Sequence, residues 1–461
     1  MIKNKFLLFG LCITPVIALG AVPAMKMGES ILDEKPNQEV FAAPHLAVPE
    51  FAARPAVAGS IGQKYYVDSV KGSDSLAGTS EAKAFKTIQQ ANQKVAAGDT
   101  VYVKNGTYNE NLILKTSGKP NSWITFQAFP GHRPFVMGSQ EAFRIEANYI
   151  KIIGFEVTSK AENGIVTDGK QGVSHHVQIL KNVIHDSGCN GIGAIRSDYL
   201  LIEGNTTFKN AFTAPWQCSG ISLYHAIDFD DKPGFHNVIR GNISYSNENK
   251  VPQAGGQVVT DGNGIIVDDF RYTQKDKKPK PNYKEPKYRS STLVENNIVF
   301  DNGGRGIHVF QSDRVVVRNN TAFHNLKSNN LLGDLNAELN SSFSDGSVFY
   351  NNIAYATDKS KATFVDNNSK GNKWDYNLSF NGVIKVGKDR SNAILEKNNL
   401  INVDPSFVNP SIIASKANFR LKANSPALNS GTAKNAARTD IESQRRPIGN
   451  KYDRGAYEMK F

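Results

Sequence analysis

Six segments of this chain repeat one short pattern around an asparagine, and that periodicity limits the possible fold more than any other feature. Val177–His185, Leu201–Phe208, Val238–Tyr245, Leu293–Phe300, Val315–Phe323 and Val348–Tyr355 align on a column of Asn182, Asn205, Asn242, Asn297, Asn320 and Asn352. Three residues later runs a ring-bearing column of His185, Phe208, Tyr245, Phe300, Phe323 and Tyr355. Where nothing interrupts the repeat, successive asparagines lie 23 residues apart, as from Asn182 to Asn205 and from Asn297 to Asn320. A fixed period in this range marks a solenoid, whose repeats bury their apolar sides only against their neighbours. The segments are short, rich in β-branched residues and bounded by Asn and Gly, so each should be a strand. A second column of Gly-Ile pairs, at Gly164, Gly191, Gly220, Gly264 and Gly306, precedes the asparagines and gives each coil another strand.

These columns predict an all-β fold, a single-stranded right-handed parallel β-helix whose identical positions stack at about 4.8 Å. Asparagines at the bends would satisfy backbone groups and one another, and the aromatic column is expected to fill the interior. The Asn-x-Ser/Thr matches at Asn205 and Asn242 then belong to the ladder and are not glycosylation signals. A length of 461 residues would ordinarily suggest two or three domains, but a solenoid grows by stacking coils. After Asn352 the pattern weakens through Tyr376–Phe380, as expected near a cap.

The chain begins like an exported protein. Lys3 and Lys5 precede an apolar run from Phe6 to Leu19, and small residues at Ala18–Gly20 or Val22–Ala24 offer cleavage sites. Cys12 suggests a lipid anchor, but Leu11 stands where a small residue should precede a lipidated cysteine. Residues 1–24 are thus expected to be a signal peptide, 25–60 a linker, and 61–461 the solenoid. No later run reaches the ~18 apolar residues of a transmembrane segment. The formal charge is +11, which points to an anionic partner. Without a nucleic-acid motif, an acidic polysaccharide or anionic cell surface fits better, bound by a monomer in the periplasm or the medium.

The ends carry a resemblance. Tyr65–Asp68, Gly72–Asp74, Phe85–Ala91 and Gly98–Tyr108 read as strand, turn, short amphipathic helix and strand, and resemble the opening of bacterial parallel β-helix proteins. That resemblance implies a short N-terminal helix capping the coil. Asp404–Val408, Phe419–Leu421, Ser425–Leu428 and Arg454–Glu458 resemble the closing segment of the same proteins.

Chemistry is expected where the period breaks. The steps from Asn205 to Asn242 and from Asn242 to Asn297 lengthen to 37 and 55 residues, and loops raised on a rigid scaffold are where sites are built. Asp228, Asp230, Asp231, Asp261, Asp268 and Asp269 gather there, with Asp268 and Asp269 one coil from Tyr224 and His225. Carboxylates without thiols or a histidine cluster suit calcium (Ca2+), so Asp261, Asp268 and Asp269 are candidate ligands. Arg305 and His308 break the apolar pattern on the next coil and are candidate catalytic groups with Asp269. Tyr224, His225, Arg271, Lys277 and Lys278 are candidate substrate contacts, the last two on a segment rich in lysine, proline and tyrosine.

Asp261–Phe270 with Gly304–His308 resemble the corresponding residues of family 9 polysaccharide lyases. The resemblance implies calcium-assisted β-elimination on a uronate-containing glycan. No lysine occupies the place of the lyase base, so Arg305 or His308 would have to serve. An inverting hydrolase of polygalacturonase type and a non-catalytic glycan-binding β-helix are the alternatives. Cys189 and Cys218 each stand two residues before an aligned Gly, so they occupy one column on successive coils. That places them within disulfide reach.

Overall fold

The computed structural model describes residues 62–169, 172–253, 256–274, 288–333, 336–387 and 390–460. The expected signal peptide at 1–24, the linker at 25–60, and Lys277 and Lys278 lie outside the described residues. The chain winds through three long parallel sheets of 12, 10 and 11 described strands, a right-handed parallel β-helix. A typical coil runs from Ile165–Asp168 in the second sheet to Ser174–Leu180 in the first and Val183–His185 in the third.

Register explains the core. In the first sheet Ile152, Ile179, Ile202, Ile239, Val294, Val317, Phe349 and Trp374 pair in one inward column. Its last two rings stack at 3.7 Å. In the second sheet Ile165, Ile192, Ile221, Ile265, Ile307 and Leu339 do the same. At the N-terminal end a short helix, Ile88–Asn92, turns Ile88 and Ala91 into the same apolar cluster. The Thr87 hydroxyl caps it, accepting from the Gln90 amide at 3.1 Å.

The asparagine column forms a continuous ladder, and it runs beyond the expected fraying point through Asn377 to Asn399. At each rung the side-chain oxygen accepts both the backbone N–H and the amide of the asparagine before it. Asn205 donates in this way to Asn242 at 2.9 and 3.0 Å. The amide also donates to a carbonyl on the preceding strand, as Asn242 does to Ile202 at 2.9 Å. A second ladder, Asn210, Asn247, Asn302 and Asn325, runs five residues later and ends on the buried carboxyl of Glu338.

The aromatic column does not fill the interior. Side chains alternate across a strand, so Ile184, Val299 and Ala322 point inward and their neighbours His185, Phe300 and Phe323 point outward. His185, Phe208, Tyr245 and Phe300 stack along the outer face at 4.9–5.0 Å. From Phe300 onward the C-terminal segment covers this face, with Phe419 set against Phe300 and Phe323 at 5.3 and 5.1 Å. The covering segment is held by Asn296, Asn319 and Asn351, which precede the ladder asparagines with φ between 52° and 55°. Their side chains bond the backbone at Thr439, Ala437 and Thr432. Uncovered coils have Lys181, Gly204 and Gly241 at that position.

Candidate functional site

A cleft of about 340 Å³ lies on the outer face of the second sheet. Its floor follows the outward positions Gly193 and Ser222 and the column Ile195, Tyr224 and Asp268, which pair strand to strand. One wall is the loop Pro215–Cys218, and Thr260, Asp261 and Gln274 close the far end. The expected disulfide between Cys189 and Cys218 is formed, with 5.2 Å between Cα atoms, and it lies in the cleft wall.

Two of the three candidate aspartates meet here. Asp261 and Asp268 repel one another, and both carboxyls are raised, first by burial. Asp268 stands well above the ordinary carboxylate range, pushed further by Asp261 and Asp269. Its Oδ1 accepts from the Gln274 amide at 2.9 Å. Asp261 Oδ1 accepts from Asn263 at 2.8 Å. The Arg305 guanidinium faces both carboxyls; burial pulls it down to about 10, so it is a cation at neutral pH. It donates to the Thr260 carbonyl, and its buried Nε has no protein partner.

The remaining candidates are placed differently. Asp269 is fully buried and its oxygens are occupied. Oδ1 accepts from the Thr273 amide and hydroxyl at 2.7 and 2.8 Å, and Oδ2 accepts from the Gln274 amide at 2.8 Å. The same Oδ2 holds His225 Nε2 at 2.8 Å. His225 is sandwiched between the rings of Tyr224 and Tyr272. Asp269 therefore anchors His225 beneath the cleft. His308 is 5% exposed and does not line the cleft; burial, then Arg305, holds it well below the usual imidazole value. Arg271 turns away to Asp313 and Asp345.

These contacts bear on calcium. Asp261, Asp268 and Asp269 spend oxygens on neighbouring donors, and Arg305 already supplies a positive charge, so they do not form a cage of open oxygen ligands. Among the described residues, the side chains close enough to share an ion are Asp198, Asp228 and His236. They too are engaged. His236 bonds Asp198 through Nδ1 and the Lys232 carbonyl through Nε2, which calls for a proton on both ring nitrogens. Burial opposes that charge, but Asp198 prevails and raises His236. Asp198 also accepts from Tyr288 and the Phe229 amide, and Asp228 from the Arg289 and Ser290 amides. This knot fastens the loop after residue 225 to the first sheet.

The sequence reading missed Trp216, Gln217, Gln274, Asn163 and Asn190 in the cleft lining. The asparagines directly precede aligned glycines, and Trp216 sits just before Cys218, so position in the repeat was the available signal.

Fold and cleft together define a right-handed parallel β-helix with a site on one sheet face. Residues 65–247 match the family model described as "Pel9A-like, right handed beta helix region". The uncharacterized protein YwoF of Bacillus subtilis (strain 168) is 40% identical over 78 residues, a match spanning 17% of this chain and 16% of that relative. Among solved structures, the complex of XylC with xylose aligns with a TM-score of 0.50 at 11% identity, covering 86% of this chain and 99% of that one. Pectate lyase Pel9A aligns at 0.49 and 17% identity, covering 86% and 96%. The XylC likeness speaks for the fold alone.

Proposed function

We propose that the cleft binds and cleaves a uronate-containing glycan by β-elimination, with Asp268 as the proton donor. The observation that carries this reading is a strongly raised carboxyl and a second carboxyl lining one cleft, with the Arg305 guanidinium acting on both. Groups whose surroundings push their proton affinities apart are how acid and base roles are divided.

The Arg305 cation pairs with the uronate carboxylate and acidifies the proton at carbon 5. Asp261, a stronger base than a free carboxylate because burial raises it, accepts that proton. The released electron pair forms the carbon 4–carbon 5 double bond as the carbon 4–oxygen bond breaks. Asp268 gives its proton to the leaving oxygen. Both carboxyls then recover their starting states by exchange with water. Arg305 remains charged throughout, which suits a carboxylate clamp better than the base role its position first suggested, and His308 is too covered to act. Asp269 positions His225, and no step passes through calcium.

Inverting hydrolysis is the second reading, because Asp261 facing the same cleft as Asp268 could instead activate water. Incubation with pectate, alginate and glucuronan separates the two. Elimination raises ultraviolet absorbance from an unsaturated uronate, whereas hydrolysis yields new reducing ends without it. Asp268→Asn should remove the signal, and no cleavage of any acidic glycan would refute the reading.

A further inference from the structure

Trp216 is 49% exposed although it lines the cleft, an unusual position for the largest side chain. It is held rigidly. The loop bearing it is closed by the Cys189–Cys218 disulfide, and Ala211 and Ala214 pack against that bridge. The Thr213 and Ala214 amides donate to the Gly188 carbonyl at 3.2 and 3.0 Å. Gln217 ties the loop to its neighbour, donating to the Val251 carbonyl at 3.2 Å and accepting from the Thr260 amide at 2.7 Å. The Glu162 carboxyl, two coils away, lies near enough to interact with the indole, and Asn163 and Asn190 line the cleft beside it. One exposed, immobilised ring surrounded by amides and a carboxyl matches a sugar ring, which is apolar on its face and hydroxylated at its edge.

We infer that Trp216 is the platform of a remote sugar subsite, on which one pyranose ring of an acidic oligosaccharide stacks; this rests on reading the cleft as a glycan site. Glu162 marks the coil of Ile165–Asp168, and Asp268 lies three paired strands further on. Trp216 itself leads into the coil of Ile221–Tyr224, one paired strand from Asp268, so between that coil and Glu162 the platform spans about 5 to 14 Å from the proton donor along the solenoid. A sugar stacked at the Glu162 end is not the one that reacts, and only substrates long enough to span the cleft gain from it.

The test uses the full chain carrying Asp268→Asn, titrated with dimeric and hexameric galacturonate, alginate and glucuronan oligosaccharides while tryptophan emission and heat are followed. Of the three tryptophans, Trp374 is fully buried and Trp123 packs edge-on against Tyr149, so emission changes report chiefly on Trp216. Expected is hexamer binding with an emission change. A further Trp216→Ala should weaken hexamer binding about tenfold and remove that change, Trp216→Phe should retain most of the affinity, and dimers should respond to neither. Hexamer binding unaffected by Trp216→Ala overturns the subsite but leaves the glycan cleft standing. Loss of binding in both variants together with a lowered Tm assigns Trp216 a structural role and also overturns it. A folded protein that binds no hexamer overturns the cleft reading itself.

Discussion

At the scale of single residues, burial decides what each acid can do. Asp268 and Asp269 are adjacent in sequence, yet one opens to the cleft with a raised carboxyl and the other is saturated by donors from Thr273, Gln274 and His225. Asp268→Asn should cut turnover by about 10²-fold or more without loss of Tm, since proton transfer contributes on that scale. Asp269→Asn should instead lower Tm, because it places a donor among donors. Calorimetric melting and rates on the same preparations distinguish the two. The rate itself should fall as pH rises through the elevated Asp268 value, and fall again in acid as Asp261 takes up its proton.

Glu338 makes a separate prediction. It is fully buried at the end of the second ladder, and burial raises it to about 8 from an ordinary 4.5, against hydrogen bonds from Asn325 that favour its charge. A folded value above the unfolded one means the native state binds the proton more tightly. Stability from this group is therefore full below about pH 4.5 and is lost progressively as pH rises to about 8. Glu338→Gln should flatten that slope, gaining stability relative to the parent at pH 8 and little at pH 5; equal slopes in both proteins would contradict the assignment.

At the scale of elements, the ladders explain why the repeat was readable. Every rung needs an amide that donates and accepts at once, so asparagine recurs at the bend and its spacing betrays the coil. Removing the Asn242 side chain should leave the Asn205 backbone N–H without its acceptor and cost the Asn205 amide and the Ile202 carbonyl one bond each. With each buried unsatisfied group costing about 1–3 kcal/mol, Asn242→Ala should destabilise by at least 3 kcal/mol in urea unfolding. The disulfide was legible for the same reason, as a shared column. Its removal in Cys189→Ser/Cys218→Ser should cost about 3 kcal/mol and loosen the Trp216 loop.

What the sequence concealed was the face each column presents. The aromatic column repeats as regularly as the asparagines, but one residue of parity sends it outward, where the C-terminal segment covers part of it. In hindsight the doubled asparagines at 296–297, 319–320 and 351–352 mark the covered coils, because the first of each pair bonds the covering segment. Parity also separated the site residues. Asp268 and Tyr224 lie on the outer face as the register required, whereas Arg271 and His308 are taken up by contacts or burial that no spacing reveals.

At the scale of the whole molecule, the solenoid presents a walled cleft lined by an acid and a base, with a cation acting on both. With Arg305 supplying the positive charge, elimination at this cleft needs no resident calcium: EDTA should leave both rate and Tm unchanged, and losing either on chelation would restore the metal. The most direct measurement is the mass of the products formed from an acidic oligosaccharide in water enriched in heavy oxygen. Elimination predicts one product carrying a double bond, no solvent oxygen in either fragment, and no products from Asp268→Asn. Heavy oxygen in a cleaved fragment, or undiminished products from Asp268→Asn, would contradict it.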